Sequence, residues 1–180
     1  MPRTHKYLIV IDMQKDFIDG ALGTPEAAAI VPAVIERIRQ AKAAGETVIA
    51  TMDTHHENYL DTAEGKKLPV PHCIKGTDGW LLNDEVAAAL GKKGFTAVEK
   101  NTFGSVDLPG LIEKAADGED FAMEVIGLCT DICVVSNALL LKASFPEAPI
   151  AVDAACCAGV SPQTHDAALQ TMRCCQIDIL

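Results

Sequence analysis

Residues 7–13, Tyr-Leu-Ile-Val-Ile-Asp-Met, are an apolar run into which one carboxylate, Asp12, intrudes near the end. A run of this length, rich in Ile and Val, reads as a strand buried on both faces. Residues 27–44 then place Ile30, Val34, Ile35 and Ile38 at helical spacing, and Gly45 closes that pattern. Residues 47–52, Thr-Val-Ile-Ala-Thr-Met, are a second apolar run. Strand, amphipathic helix and strand in succession predict parallel pairing through a crossover helix.

The alternation continues along the chain. Strands are predicted over 96–100, 121–128, 149–154 and 176–180, and helices over 83–91, 107–116, 131–143 and 162–174. Asn83 is a natural N-cap for the first of these helices. The prediction is a three-layer, Rossmann-like α/β fold, with a six-stranded, mostly parallel sheet and helices on both faces. No repeat, linker or low-complexity tract divides residues 1–180, which read as a single domain. A chain of 180 residues can bury roughly 70% of its unfolded surface.

Composition narrows the function. Hydrophobic residues are 49% and charged residues 22%, which excludes intrinsic disorder. The net charge of −10 repels phosphate backbones, so nucleic acid is excluded as a partner. No apolar run approaches the roughly 18 residues of a membrane span. Arg3 and Lys6 precede an apolar run that Asp12 interrupts, too short for a secretory signal. The expectation is a cytoplasmic protein whose seven cysteines stay reduced and mostly buried. Two adjacent pairs, Cys156–Cys157 and Cys174–Cys175, are poorly suited to structural bridges.

Open α/β sheets place their chemistry beyond the carboxyl ends of the strands. At those ends stand Asp12, Asp53 with His55 just beyond, Lys100, and the run from Cys129 to Cys133. A buried aspartate and a buried lysine each need a partner, and each is the other's candidate. Cys133 falls in the first turn of the predicted fourth long helix. There the helix dipole and Lys100 should lower its thiol pKa, and free N–H groups offer an oxyanion hole. Read singly, Asp12 is also a turn cap, Lys100 a solvated strand end and Cys133 a small core residue. Cys129 and Cys133 together also read as a metal or redox pair. The long irregular segment 53–82 supplies Asp53, His55, Glu64 and His72, with His56, Glu57 and Asp61 in reserve. Segments this long inside a compact domain tend to be functional. Two histidines and two carboxylates suit zinc, iron or manganese, although loop histidines are also ordinary polar surface.

These same residues carry a resemblance. Residues 9–17, Ile-Val-Ile-Asp-Met-Gln-Lys-Asp-Phe, resemble the opening signature of the isochorismatase-like cysteine hydrolases. Residues 130–133, Thr-Asp-Ile-Cys, resemble that family's nucleophile motif, and Lys100 falls where its lysine stands. Asp53-x-His55, Glu64 and Pro71-His72 are similar to the metal-ligand pattern of the nicotinamidase/pyrazinamidase branch. The resemblance covers nearly the whole chain. Where many nicotinamidases supply a third histidine, this chain offers Glu64. True isochorismatases lack the thiol.

The resemblance implies a metal-assisted cysteine amidohydrolase that converts nicotinamide to nicotinate and ammonia through a thioester, in NAD salvage. Asp12, Lys100 and Cys133 would be its catalytic triad. The N–H groups of Cys129 and Cys133 would form the oxyanion hole, shaped by a cis peptide before Cys129. Phe17 and Phe103 would line the substrate pocket, and Trp80 offers a third flat wall for a pyridine ring. Asp53, His55, Glu64 and His72 would hold one divalent ion, zinc first, with iron or manganese also suited. That ion would hold the substrate's ring nitrogen. The partner is then a small amide, and the protein is expected to be a homo-oligomer. Two other functions fit parts of the pattern. One is a metal-free relative cleaving another small amide, ureide or N-carbamoyl compound. The other is a thiol-rich metal-binding or redox protein.

Overall fold

A computed structural model of the chain describes residues 5–180, so Arg3 lies outside the described residues. Six strands, β1 (His5–Ile11), β2 (Thr47–Asp53), β3 (Phe95–Lys100), β4 (Phe121–Leu128), β5 (Ile150–Ala158) and β6 (Asp178–Ile179), form one sheet. Its order is β3-β2-β1-β4-β5-β6, and every pairing is parallel. Six α-helices accompany the sheet: α1 (Lys15–Ile18), α2 (Pro25–Ala44), α3 (Asp84–Leu90), α4 (Leu108–Ala116), α5 (Val135–Ser144) and α6 (Pro162–Cys174). The strand order reverses between β1 and β4, which opens a crevice at their carboxyl ends.

The apolar runs explain the layers. Along β1, Leu8 and Val10 point into one core while Tyr7, Ile9 and Ile11 point into the other. The first core is closed by α2 through Ile30, Val34, Ile35 and Ile38. The second is closed by α4, α5 and α6 through Ile112, Leu141 and Met172. A strand buried on both faces needs apolar residues at every position, which is why residues 7–11 do not alternate. Thr24 caps α2 by accepting the Ala27 N–H at 3.0 Å, and Gly45 ends it at φ 75°. The Asn83 side chain caps α3 as expected.

The structure departs from the sequence reading in three places. Helix α1 is a single turn, too short to leave a periodic signal. Strand β5 runs on to Ala158 rather than stopping at Ala154, because the ladder with β4 shifts register between Val125 and Gly127 and resumes at Gly127–Cys157. The extension sends Cys156 to one core and Cys157 to the other, so the adjacent thiols face apart. Strand β6 shrinks to two residues at the sheet edge.

Candidate active site

Three strand ends and one turn meet at the crevice. Asp53 and Lys100 end β2 and β3 and are paired in register, so their side chains leave the same face. Asp12 follows β1 with φ 47°, a left-handed conformation that is strained for an aspartate. Cys133 lies in a π-helical turn, Thr130–Val134, that leads from β4 into α5. Turns of this kind recur at functional sites. The Leu128–Cys129 peptide is cis, matching the expectation drawn from the resemblance. Gly127, at φ 117°, lets β4 approach the end of β1; a Cβ there would collide with the Ile11 carbonyl.

The Lys100 ammonium is the hub. Its Nζ stands 2.6 Å from Asp12 Oδ2, 3.4 Å from Asp53 Oδ1 and 3.5 Å from Cys133 Sγ. Asp12 is fully buried, and Lys100 and Cys133 are each 5% exposed. Burial works against the lysine's charge, but Asp12, Cys133 and Asp53 outweigh it and hold the ammonium protonated well above its ordinary range. Burial raises Asp12 above the usual carboxylate range, with Lys100 opposing, Asp53 adding, and Thr51 opposing. A carboxylate so raised is a better base than a free one.

The thiol departs from the sequence expectation. The helix start and Lys100 were expected to lower its pKa; instead, burial and the Asp12 charge push it well above the ordinary value, and Lys100 only partly opposes them. A thiolate here would add a further anion to the buried Asp12 and Asp53, so this setting favours the neutral thiol.

Beside Asp12, Lys100 and Cys133 lies a second cluster. The ligand atoms of Asp53, His55 and His72, all buried, lie within 4.8 Å of one another. His55 Nε2 is 3.0 Å from Asp53 Oδ2, and His72 Nε2 is 3.6 Å from the same oxygen. Glu64 Oε1 reaches 3.6 Å from each histidine nitrogen and is the more exposed member. Bonds of about 2.0–2.1 Å in a tetrahedron separate neighbouring donors by roughly 3.3 Å, close to these spacings. His72 Nδ1 faces the Val70 carbonyl at 2.8 Å, a contact only an N–H can satisfy. That contact fixes the ring so that Nε2 is the atom aimed at the cluster. His55 Nε2 is buried without a hydrogen-bond partner despite its short approach to Asp53. An unpartnered buried nitrogen among carboxylate oxygens is what a cation would satisfy, so these residues fit a divalent metal ion. Burial disfavours the His55 cation, but Asp53 and Glu64 overcome it and lift the ring to about 9. Burial would raise Asp53, yet both histidines and Lys100 hold it well below the usual range.

The expected pocket residues take different surroundings. Phe17 is buried and packs against the His72 ring at 5.5 Å. Trp80 is half-buried and donates its indole N–H to Thr54 Oγ1 at 3.0 Å. Phe103 is 47% exposed on the segment after β3. A cleft of about 280 Å³ opens beside that segment, lined by Thr54, Lys100, Asn101, Ser105 and their neighbours.

Sequence reasoning missed four residues. Thr51 is fully buried and donates to Asp12 Oδ1 at 2.7 Å. Gln14 holds both the N–H and the C=O of Asp53, at 2.7 and 2.8 Å, and reaches the Trp80 carbonyl at 2.7 Å. Asn137 donates to the carbonyls of Cys133 and Phe103 and accepts the Ser105 N–H at 2.9 Å, tying the segment after β3 to α5. Tyr59 wedges its ring against His55 and His72, at 4.7 and 5.0 Å. The signal for Gln14 was its place two residues after Asp12. Thr51 lay two residues before Asp53, on the same face of β2.

Comparisons with known proteins identify the family. The family model described as the isochorismatase domain matches residues 6–179. The chain is 30% identical over 189 residues to a nicotinamidase/pyrazinamidase of Mycobacterium tuberculosis, spanning 96% of this chain and 97% of that protein. The pyrazinamidase/nicotinamidase of Streptococcus mutans has a similar structure, with a TM-score of 0.85 and 27% identity over 97% of this chain and 99% of that one. The pyrazinamidase of Pyrococcus horikoshii in complex with zinc matches with a TM-score of 0.83 and 25% identity, over 98% of both chains. No helix among the described residues is long and apolar enough to cross a membrane. With its fold and its family model in agreement, the chain belongs to the isochorismatase family, as a hydrolase of amide C–N bonds.

Proposed function

We propose that this amidohydrolase converts nicotinamide to nicotinate and ammonia through a thioester on Cys133. One observation carries the reading: Lys100 joins a buried thiol and its base to a cluster of two histidines and two carboxylates. A thiol–carboxylate–lysine set is enough to cleave an amide. A neighbouring ligand cluster is superfluous unless part of the substrate binds there. An aromatic carboxamide with a ring nitrogen uses both halves of the site.

Asp12 takes the proton from Cys133 as Sγ bonds to the carbonyl carbon. The N–H groups of Cys129 and Cys133 face the developing oxyanion. Asp12 then passes its proton to the departing nitrogen, the C–N bond breaks and ammonia leaves. Water attacks the thioester with Asp12 again as base, Sγ regains a proton, and nicotinate is released. Lys100 keeps Asp12 ionised between proton transfers. Asp53, His55, Glu64 and His72 would hold one divalent ion, zinc by the precedent of the Pyrococcus horikoshii enzyme; when bound, it supplies a Lewis acid for the ring nitrogen. Phe17, Trp80 and Phe103 would wall the ring.

The test compares nicotinamide with benzamide, which has the same size but no ring nitrogen. Nicotinamide is expected to be preferred by on the order of 10³-fold in kcat/KM. Equal turnover of the two would refute recognition through the ring nitrogen. Turnover of neither, with activity on an aliphatic amide, would move the protein to another amide of the family.

A further inference from the structure

We infer that His165 is a positioning residue for the turn that carries Cys129 and Cys133. This rests on the reading of Cys133 as nucleophile. His165 Nδ1 lies 2.8 Å from Thr130 Oγ1. Thr130 is fully buried, and it stands in sequence between Cys129 and Cys133, whose N–H groups the proposed mechanism assigns to the oxyanion. Among the described residues, this is the side-chain contact that anchors its hydroxyl.

The histidine is itself held firmly. Ser161 and Thr164 form a reciprocal cap at the start of α6, and the His165 N–H donates to the Ser161 carbonyl at 2.9 Å. Gly159 allows the close approach of the chain before α6, since a Cβ there would come within 2.9 Å of the His165 nitrogen. A second contact runs in parallel: Asp131 accepts the Val160 N–H, at 3.1 and 3.3 Å for its two oxygens. Two successive residues of the nucleophile turn are thus gripped, Thr130 by the first turn of α6 and Asp131 by the connection that leads into it. A π-helical turn has weaker internal bonding than a regular helix, so an outside grip on it has an evident purpose. His165 does not touch the triad. It acts through Thr130, on where the oxyanion donors point.

The experiment separates this role from mere stability. His165→Asn keeps a polar atom near the Nδ1 position, whereas His165→Leu removes it. Three quantities are read for each: kcat and KM for nicotinamide, and the rate at which iodoacetamide alkylates Cys133, followed on the Cys133 peptide by mass spectrometry. Alkylation displaces iodide at carbon and makes no use of an oxyanion hole. His165→Leu is expected to lose on the order of 10-fold in kcat, with KM and alkylation rate unchanged. His165→Asn should recover most of the loss. Thr130→Val should lose as much as His165→Leu, and the double variant no more than either. Full kcat in His165→Leu overturns the inference, as does equal loss in His165→Leu and His165→Asn, which marks a packing role. If alkylated Cys133 leaves wild-type activity intact, the nucleophile reading itself fails and the inference falls with it.

Discussion

Thr51→Val removes one hydroxyl and almost nothing else. The Thr51 Oγ1–H donates to Asp12 Oδ1 at 2.7 Å in a fully buried setting, and the same oxygen accepts the Asp12 N–H at 3.2 Å. Valine has nearly the same shape, so packing should survive. A hydrogen bond to a charged group contributes about 1.5–3 kcal/mol, and leaving a buried oxygen without its donor costs on this scale. A loss of about 2 kcal/mol lowers the melting temperature of a domain this size by roughly 4–8 °C. The catalytic consequence has a defined sign. Thr51 is one of the two groups that hold the Asp12 pKa down against burial. Its removal raises that pKa further, so the acid limb of kcat/KM moves to higher pH. Thermal unfolding and a pH–rate profile measure the two effects on the same preparation. A variant that melts lower but keeps the wild-type acid limb would refute Asp12 as the base.

Three further outcomes are expected. Cys133→Ala should abolish turnover and leave the fold intact, since alanine fits the turn; circular dichroism with an ammonia-release assay checks both. Asn137→Leu leaves the Cys133 and Phe103 carbonyls and the Ser105 N–H without their partner. It should cost about 2–4 kcal/mol of stability and raise KM more than it lowers kcat, as seen in denaturant unfolding and steady-state kinetics. In metal-free protein, His55 is raised from 6.5 to about 9, so its stabilising charge is complete below the ordinary value and lost as pH rises through about 9. Asp53 is lowered, so its contribution is present above the usual carboxylate range and lost on acidification. Divalent metal must displace the His55 proton, so zinc affinity by calorimetry should rise with pH up to about 9, with proton release at neutral pH.

The fold was legible because its central strands have no solvent face. Residues 7–11 must be apolar at every position to fill both cores, and a run like that is hard to mistake. The strand-end rule then isolated Asp12, Asp53, Lys100 and Cys133 without a coordinate, since each is a polar residue ending or following an apolar run. What stayed hidden were polar residues whose meaning is purely tertiary. Asn137 looks like any helix residue until the segment from Phe103 to Ser105 is laid against it. His165 is far along the chain from Thr130, and no periodicity links them. The sign of the thiol shift was hidden for a related reason. The helix start and Lys100 can be read from order along the chain, but the depth of burial and the nearness of the Asp12 charge cannot.

That sign bears on how the two halves of the site cooperate. Asp12 and Asp53 are buried on either side of the Lys100 ammonium. A further anion on Cys133 is disfavoured by burial and by the Asp12 charge, with Lys100 opposing. Asp53 belongs to both halves: Oδ1 faces Lys100 and Oδ2 faces the two histidines. A cation bound at the histidines would engage Asp53 and leave the Lys100 ammonium more fully committed to Asp12 and Cys133. The thiol would then be easier to ionise when the ligand cluster is filled than when it is empty. Binding at one half and nucleophilicity at the other are joined through a single carboxylate and a single lysine. The register pairing that places them side by side at the ends of β2 and β3 is therefore as much a part of the chemistry as the thiol.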